Sequence, residues 1–350
     1  MTLLHEMRST CNAEIAFRDF VKCANLYDVA TLLHEMQPQA SSIRCDSAPL
    51  SRGQFQLWAY QQANEGSVDY NMPFLMEVKG RKAHAFVESL CRALKDQELF
   101  SCTLGGEIDT PFLQRNEALQ IPVRQTDFPD SVSAQRYFGE RIHTPFDLRS
   151  ELPVRVEIAR LADSLQVLLL VHHIAGDAES IEILLNNALQ YARGGEAAKG
   201  LLATQAEFCR REDAYLRSAE FKADQAYWDR VFAPLAAALH PSVRRKGAMA
   251  VIDLPPELEA SLQRLAENAG ATLLCSFATL LGDFLRKRHG RREILVGVPV
   301  GLRETRAEFE TTGFYVGTVA LRLQEHGETR RLPRRAWLLA MTMMKYVQTG

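Results

Sequence analysis

The most informative stretch of this sequence is His172-His-Ile-Ala-Gly-Asp-Ala178, which lies where an apolar segment gives way to a helical pattern. Leu165–Val171 is almost continuously apolar, as expected of a strand buried on both faces. Val154–Ile158 alternates apolar and charged residues and predicts a neighbouring strand. From Glu179 onward, apolar residues recur at helical spacing until Gly194. The two histidines are therefore predicted to lie at a strand-to-helix junction.

The paired histidines at this junction indicate proton-transfer chemistry. Neighbouring side chains of a strand point to opposite faces, so only one of His172 and His173 can face a given cavity while the other packs behind it. Histidine accepts a proton near neutral pH, and Asp177 could orient it or brace the loop. The residues alone also allow a structural interpretation, in which both histidines belong to the core and Asp177 caps a helix. The combination of a histidine pair with a spaced aspartate favours an active site.

The junction resembles the His-His-x-x-x-Asp-Gly motif of the condensation domains of nonribosomal peptide synthetases, relatives of chloramphenicol acetyltransferase. Other segments match that family in the same order, over roughly residues 46–345. Upstream of the histidines they are Ser51–Trp58 (Ser-Arg-Gly-Gln-Phe-Gln-Leu-Trp), Tyr70–Pro73, Thr144–Leu148 and Leu152–Arg155. Downstream they are Tyr227-Trp228, Gly297–Arg303 and Gly313–Thr318.

The resemblance implies an α+β fold made of two chloramphenicol acetyltransferase-like lobes. Residues 46–220 would form the N-terminal condensation lobe, and residues 221–350 a partial C-terminal lobe, because the family continues beyond the position that matches Gly350. We therefore expect a truncated enzyme whose activity the truncation impairs. Residues 1–45 form a predicted helical extension that resembles the last two helices of a carrier domain, without a serine for phosphopantetheine attachment. An ordinary helical extension is the alternative.

Periodicity predicts several further elements outside the junction. They are a strand over Phe74–Val78, a helix over Ala83–Leu94, a buried helix from Leu273 through Phe284 to Gly290, and strands over Met249–Leu254, Ile294–Val298 and Tyr315–Leu323. The last four of these would make up the α+β core of the second lobe.

The resemblance also implies a reaction and its partners. An acyl or peptidyl thioester on an upstream carrier domain would react with an aminoacyl thioester on a downstream carrier, so that the enzyme is an amide-forming acyltransferase. No cofactor is expected to bind directly, but the phosphopantetheine arms of the carriers would reach the site. An adenylation domain would be a further partner.

Roles for individual residues come from the same resemblance. His173 would take a proton from the attacking amine or hold that amine in line, with His172 behind it. The Ala178 N–H could help to hold the oxyanion. Asp177 would form a buried ion pair with Arg303 that ties the loop to the second lobe. Two weaker candidates are Ser180, which could equally cap the helix, and Thr318.

The chain departs from the family pattern at three places. Lys95–Ser101 lacks the arginines and the histidine of the family's Arg-His-Glu-x-Leu-Arg-Thr segment, on which support for the site would depend. Ala178 replaces the motif glycine and would be strained if that position requires a positive φ. Gly317 replaces an asparagine. Three alternative functions therefore stay open: an epimerisation domain, a free acyltransferase, and a noncatalytic platform that recruits carriers or partner enzymes.

Composition argues against several classes of function. A net charge of -2 argues against nucleic-acid binding. The seven cysteines are odd in number and contain no Cys-x-x-Cys pair, which favours a reducing compartment without a zinc site. The sequence contains no run of 18 apolar residues and no signal-peptide core at its N-terminus. We therefore expect a cytoplasmic location and no membrane partner.

Overall fold

The computed structural model describes residues 45–80, 82–232, 253–290 and 293–324. Residues 1–44 of the predicted extension 1–45, and most of the predicted strand Met249–Leu254, lie outside these residues. The described chain divides into two units: the first runs to Ala214 and also contains Leu302–Val316, and the second contains the remainder. Leu302–Val316, which the sequence analysis placed in the second lobe, therefore packs with the first unit. The lobes 46–220 and 221–350 stay a prediction.

The described elements alternate helices and strands in a mixed order. They are β1 (Ser47–Pro49), α1 (Arg52–Ala63), β2 (Asn71–Lys79), α2 (Ala83–Lys95), β3 (Cys102–Gly105), β4 (Phe112–Arg115), β5 (Val123–Asp127), α3 (Ser131–Ile142), β6 (Val154–Arg160), β7 (Ser164–His172), α4 (Ala178–Ala192), α5 (Leu202–Leu216), α6 (Ala219–Phe232), α7 (Pro256–Ala269), α8 (Leu273–His289), β8 (Glu293–Gly301), α9 (Arg306–Glu310) and β9 (Val316–Gln324). This mixture confirms the α+β class.

The main sheet of the first unit positions the histidines. Its strand order is β2-β7-β6-β5, with β7 antiparallel to both of its neighbours and β5 parallel to β6. Leu168–Val171 in β7 are fully buried, which confirms the prediction of a strand covered on both faces. His172 pairs with Asn71 of β2 at the end of this strand. A smaller sheet, in the order β1-β4-β3, completes the unit.

The second unit, described by itself, contains the β8-β9 pair together with α7 and α8. The prediction that α8 is buried through its large apolar residues is wrong. Leu273, Leu274, Phe277, Leu280 and Phe284 are 44–62% exposed. The helix instead buries small residues, and a Cβ added to Gly282 would lie 2.5 Å from a side-chain carbon of Leu323 in β9. A close approach between helix and strand needs small residues at the contact, so the bulky ones face elsewhere.

No single described helix is long and apolar enough to cross a membrane. The pair α7 and α8 reaches the required length and composition only when taken together, across a bend of 104°.

Candidate functional site

The strand-to-helix junction begins where β7 ends. His173–Ala175 form a short 3-10 turn, Gly176 is extended, and α4 begins at Ala178. Backbone bonds from flanking segments hold the two histidines. The His172 N–H donates to the Pro153 carbonyl and the His173 N–H donates to the Tyr70 carbonyl, each at 2.9 Å. These bonds to the sheet and its flanking segment therefore fix the position of the turn.

His172 is a buried hydrogen-bond acceptor. Its side chain is 2% exposed, and its Nδ1 accepts a bond of 3.1 Å from the Ile174 N–H. An acceptor Nδ1 means that the proton of the neutral ring is on Nε2. Burial, with a smaller contribution from neighbouring His173, lowers the pKa of His172 to about 3. His172 is therefore neutral at physiological pH, and its bond from the Ile174 N–H stabilises the turn.

His173 has the opposite arrangement. It is half-buried, and its Nδ1 lies 2.7 Å from the Gly176 carbonyl oxygen. Because a carbonyl only accepts, the neutral ring carries its proton on Nδ1 and leaves Nε2 as an acceptor. The ring of Phe314 contacts the imidazole edge to face, with centroids 5.0 Å apart. The Nε2 of His173 therefore has a lone pair that can accept a proton.

Gln54 fixes the turn from the side of α1. Ser51 caps α1 in a capping box with Gln54, whose side chain is fully buried. The Gln54 Nε2 donates to the Ile174 carbonyl at 2.8 Å, and its Oε1 accepts from Gln205 at 2.8 Å. Both backbone groups of Ile174 are therefore held, the N–H by His172 and the carbonyl by Gln54. This segment matches the family in sequence, but no sequence pattern predicted a role for Gln54.

A second support reaches His172 through the segment Thr144–Leu148. The guanidinium of Arg155 is buried, donates to the carbonyls of Thr144 and Pro145 at 3.0 and 2.7 Å, and pairs with Glu151 at 2.7 Å. It also stacks 4.0 Å from the centroid of the Phe146 ring, which meets His172 edge to face at 5.8 Å. Sequence reasoning missed this role of Arg155, for which the only signal was a charged residue on a buried strand.

Asp177 caps α4 and holds Arg303. The two side chains are 5% and 1% exposed, and Arg303 Nη1 lies 2.6 Å from Asp177 Oδ2. The same oxygen accepts the Tyr315 N–H at 3.1 Å, and Oδ1 accepts the Ser180 N–H at 2.9 Å. The predicted buried ion pair is confirmed. Both residues lie in the first unit.

Ser180 and Ala178 both occupy the first turn of α4. The Ser180 hydroxyl donates to Asp177 Oδ1 at 2.8 Å and accepts from the Gly313 N–H and Arg303 Nη2, both at 3.1 Å. It also accepts the Asp177 N–H at 3.2 Å, so Ser180 takes part in the capping box of α4 together with the N-cap Asp177. Ala178 is the first residue of the helix, a position with ordinary helical backbone angles, so the strain considered for alanine does not arise. Thr318 is an exposed residue of β9 in the second unit.

The divergent segment Lys95–Ser101 supports Leu302–Val316 through an amide rather than through arginines. Gln97 is fully buried; its Nε2 donates to the Glu310 carbonyl at 3.2 Å, and its Oε1 accepts the Thr312 N–H at 2.8 Å. Sequence reasoning noted the missing arginines and overlooked this glutamine. The first unit therefore brings together all the predicted site residues except Thr318: His172, His173, Asp177, Ala178, Ser180 and Arg303.

Comparisons with known proteins extend over the same residues. A family model described as the condensation domain matches residues 45–340. Bacitracin synthase 2 of Bacillus licheniformis is 26% identical over 341 residues, which are 92% of this chain but only 13% of that protein. The chain therefore spans a small part of this curated relative.

Two solved structures share the fold. The first condensation domain of the calcium-dependent antibiotic synthetase, in complex with a substrate analogue, matches with a TM-score of 0.68 and 21% identity, over 88% of this chain and 75% of that one. The complex of the X-domain and OxyB from teicoplanin biosynthesis matches with a TM-score of 0.65 and 20% identity, over 89% and 73%.

Proposed function

The chain belongs to the condensation-domain family, since the family model matches residues 45–340 of its 350, and we propose that it joins a carrier-bound acyl or peptidyl donor to a carrier-bound aminoacyl acceptor. The partners would be carrier domains upstream and downstream, with an adenylation domain that loads the acceptor. The phosphopantetheine arms belong to these partners and enter as part of the substrates.

The observation that carries this proposal is the orientation of His173. In the proposed reaction the acceptor amine attacks the donor thioester, a C–N bond forms, and the C–S bond breaks. The Nε2 of His173 accepts a proton from the amine and returns it to the departing thiolate, or it holds the amine in line. Positioning of this kind contributes much of the rate of such bimolecular reactions.

The start of α4 supplies a second group. The Ala178 N–H is one of the N-terminal amide groups that have no acceptor within the helix, and the helix dipole favours negative charge there. We assign this N–H to the oxyanion that forms at the donor carbonyl. Asp177 and Ser180 act indirectly, because they fix the first turn that carries this amide.

The test is amide formation between loaded donor and acceptor carriers in single turnover. His173→Gln is expected to lower the rate by roughly 10²–10⁴-fold, because the proton acceptor is lost. The control is His84→Gln, which changes an exposed histidine of α2 and should leave the rate unchanged. An unchanged rate for a folded His173→Gln variant would contradict the proposal.

Each of the three alternatives predicts a different experimental outcome. An epimerisation domain would exchange the α-proton of a loaded aminoacyl or peptidyl carrier with deuterated water and form no amide. A free acyltransferase would use a soluble thioester without a carrier. A recruiting platform would bind a carrier or a partner enzyme without turnover; the X-domain that shares this fold was solved together with OxyB.

A further inference from the structure

Phe314 is the aromatic residue that lies nearest to His173 among those in ring contact with it. The two ring centroids are 5.0 Å apart and the planes are 80° to each other, whereas the Tyr70 ring lies 6.5 Å away. His173 has one side-chain hydrogen bond to the protein in the described residues, from Nδ1 to the Gly176 carbonyl. One bond leaves the imidazole free to tilt about it, so ring packing decides the direction of Nε2.

The backbone around Phe314 is anchored on both sides. On one side, the Gly313 N–H donates to the Ser180 hydroxyl at 3.1 Å. On the other, the Tyr315 N–H donates to Asp177 Oδ2 at 3.1 Å. Asp177, the N-cap of α4, and Ser180, in its first turn, are themselves buried, so Phe314 can respond to a neighbour only by moving its ring.

Gly53 in the first turn of α1 lies against that ring. A Cβ added to Gly53 would be 2.5 and 2.9 Å from Cε1 and Cδ1 of Phe314, distances that real Cβ atoms essentially never show. The backbone of Gly53 is helical, so its conformation does not require glycine. The adjacent residue Gln54 bonds the Ile174 carbonyl, so α1 cannot easily move away. The ring of Phe314 must therefore move to accommodate any side chain at position 53.

From these contacts we propose that Phe314 is a positioning residue that holds the His173 imidazole on the Gly176 carbonyl, and that Gly53 provides the space in which its ring lies. The inference rests on the proposed function only in taking His173 as the working residue. A side chain at position 53 would displace the ring from its present contact with the imidazole, and removal of the ring would leave the imidazole unsupported. Both changes would disturb the direction of Nε2.

The first test reads the protonated nitrogen directly. Side-chain ¹⁵N NMR at mildly alkaline pH, where imidazoles are neutral, distinguishes a proton on Nδ1 from one on Nε2. We expect Nδ1–H for His173 in the parent chain and a mixture in both Gly53→Ala and Phe314→Leu. His172, with its proton on Nε2, is an internal reference that should not change. A pure Nδ1–H signal for His173 in both variants would overturn the inference.

Two further variants are controls for this experiment. Gly139→Ala also places an alanine in a helix, α3, but its added Cβ would have no atom within 4 Å, so the His173 signal should match that of the parent chain. Phe314→Tyr keeps the aromatic ring and should retain the Nδ1–H signal. If any change at position 314 disturbed folding, this variant would lose the signal as well.

Kinetics give the second test. Gly53→Ala and Phe314→Leu should each lower kcat for amide formation by roughly ten-fold to a hundred-fold with little change in KM, since misplacement of a reacting group by about 1 Å has effects of this size. In a His173→Gln background, Gly53→Ala should have no further effect, because it acts through His173. A full additional loss there would overturn the inference. If no form of the chain makes amides, the proposed function fails, while the NMR result still decides the role of Phe314.

Discussion

Replacement of Asp177 by alanine should destabilise the first unit by roughly 3–5 kcal/mol, because it leaves the charge of Arg303 buried without its partner. Arg303 is 1% exposed and its Nη1 lies 2.6 Å from the carboxylate. The Tyr315 and Ser180 N–H groups would also lose their acceptor. The Nε and Nη2 of Arg303 would keep their bonds to the carbonyls of Glu308 and Thr311, at 2.9 and 3.3 Å. Nη1 would keep only the 3.4 Å contact with the half-exposed carboxylate of Glu179.

The assay is urea denaturation followed by the fluorescence of Trp58, which is buried in α1 of the first unit. Asp177→Asn separates the two roles of the aspartate. Asparagine caps a helix about as well as aspartate, so most of the loss should persist in this variant if the charge is the main factor. Arg303→Met combined with Asp177→Asn should lose less than the sum of the single variants, because a buried pair removed as a whole leaves no charge stranded.

Glu179 offers a matched control on the same guanidinium. It lies 3.4 Å from Arg303 Nη1 but is 38% exposed, so Glu179→Gln should change the free energy of unfolding by no more than about 0.5 kcal/mol. A loss below about 1 kcal/mol for Asp177→Ala, or single losses that add fully in the double variant, would refute the reasoning from a desolvated ion pair.

Other variants test the supports around the turn. The lowered pKa of His172, about 3, means that the folded state binds fewer protons than the unfolded state below about pH 6.5. The free energy of unfolding should therefore fall as the pH drops from there, by up to roughly 1.4 kcal/mol per unit from this group, and denaturation of His172→Gln at several pH values should show a shallower dependence. Gln54→Ala removes the donor to the Ile174 carbonyl and should lower stability by about 1–3 kcal/mol, measured by urea denaturation. Gln97→Ala unpairs the Thr312 N–H and should accelerate amide hydrogen exchange at that residue, with unchanged exchange as the contrary outcome.

Local pattern was enough to predict the elements that carry the histidines. The apolar run of β7, the alternation in β6 and the helical spacing of α4 are properties of neighbouring residues, so they can be read along the chain. The Asp177–Arg303 pair was predicted because each residue lies in a matched segment and a charge in apolar surroundings needs a partner. Periodicity failed for α8, because a helical apolar stripe reveals that a face exists but not which side of the helix the rest of the unit covers.

Only the tertiary structure revealed the contacts that orient the site. The Gln54 bond to Ile174 spans 120 residues and the Gln97 bond to Thr312 spans 215. The close approach of Phe314 to Gly53 likewise depends on two segments far apart in the chain. An amide or a glycine looks the same in a sequence whether it lies in solvent or against a distant backbone. Their roles arise from packing, which sets distances of a few ångströms that no local pattern records.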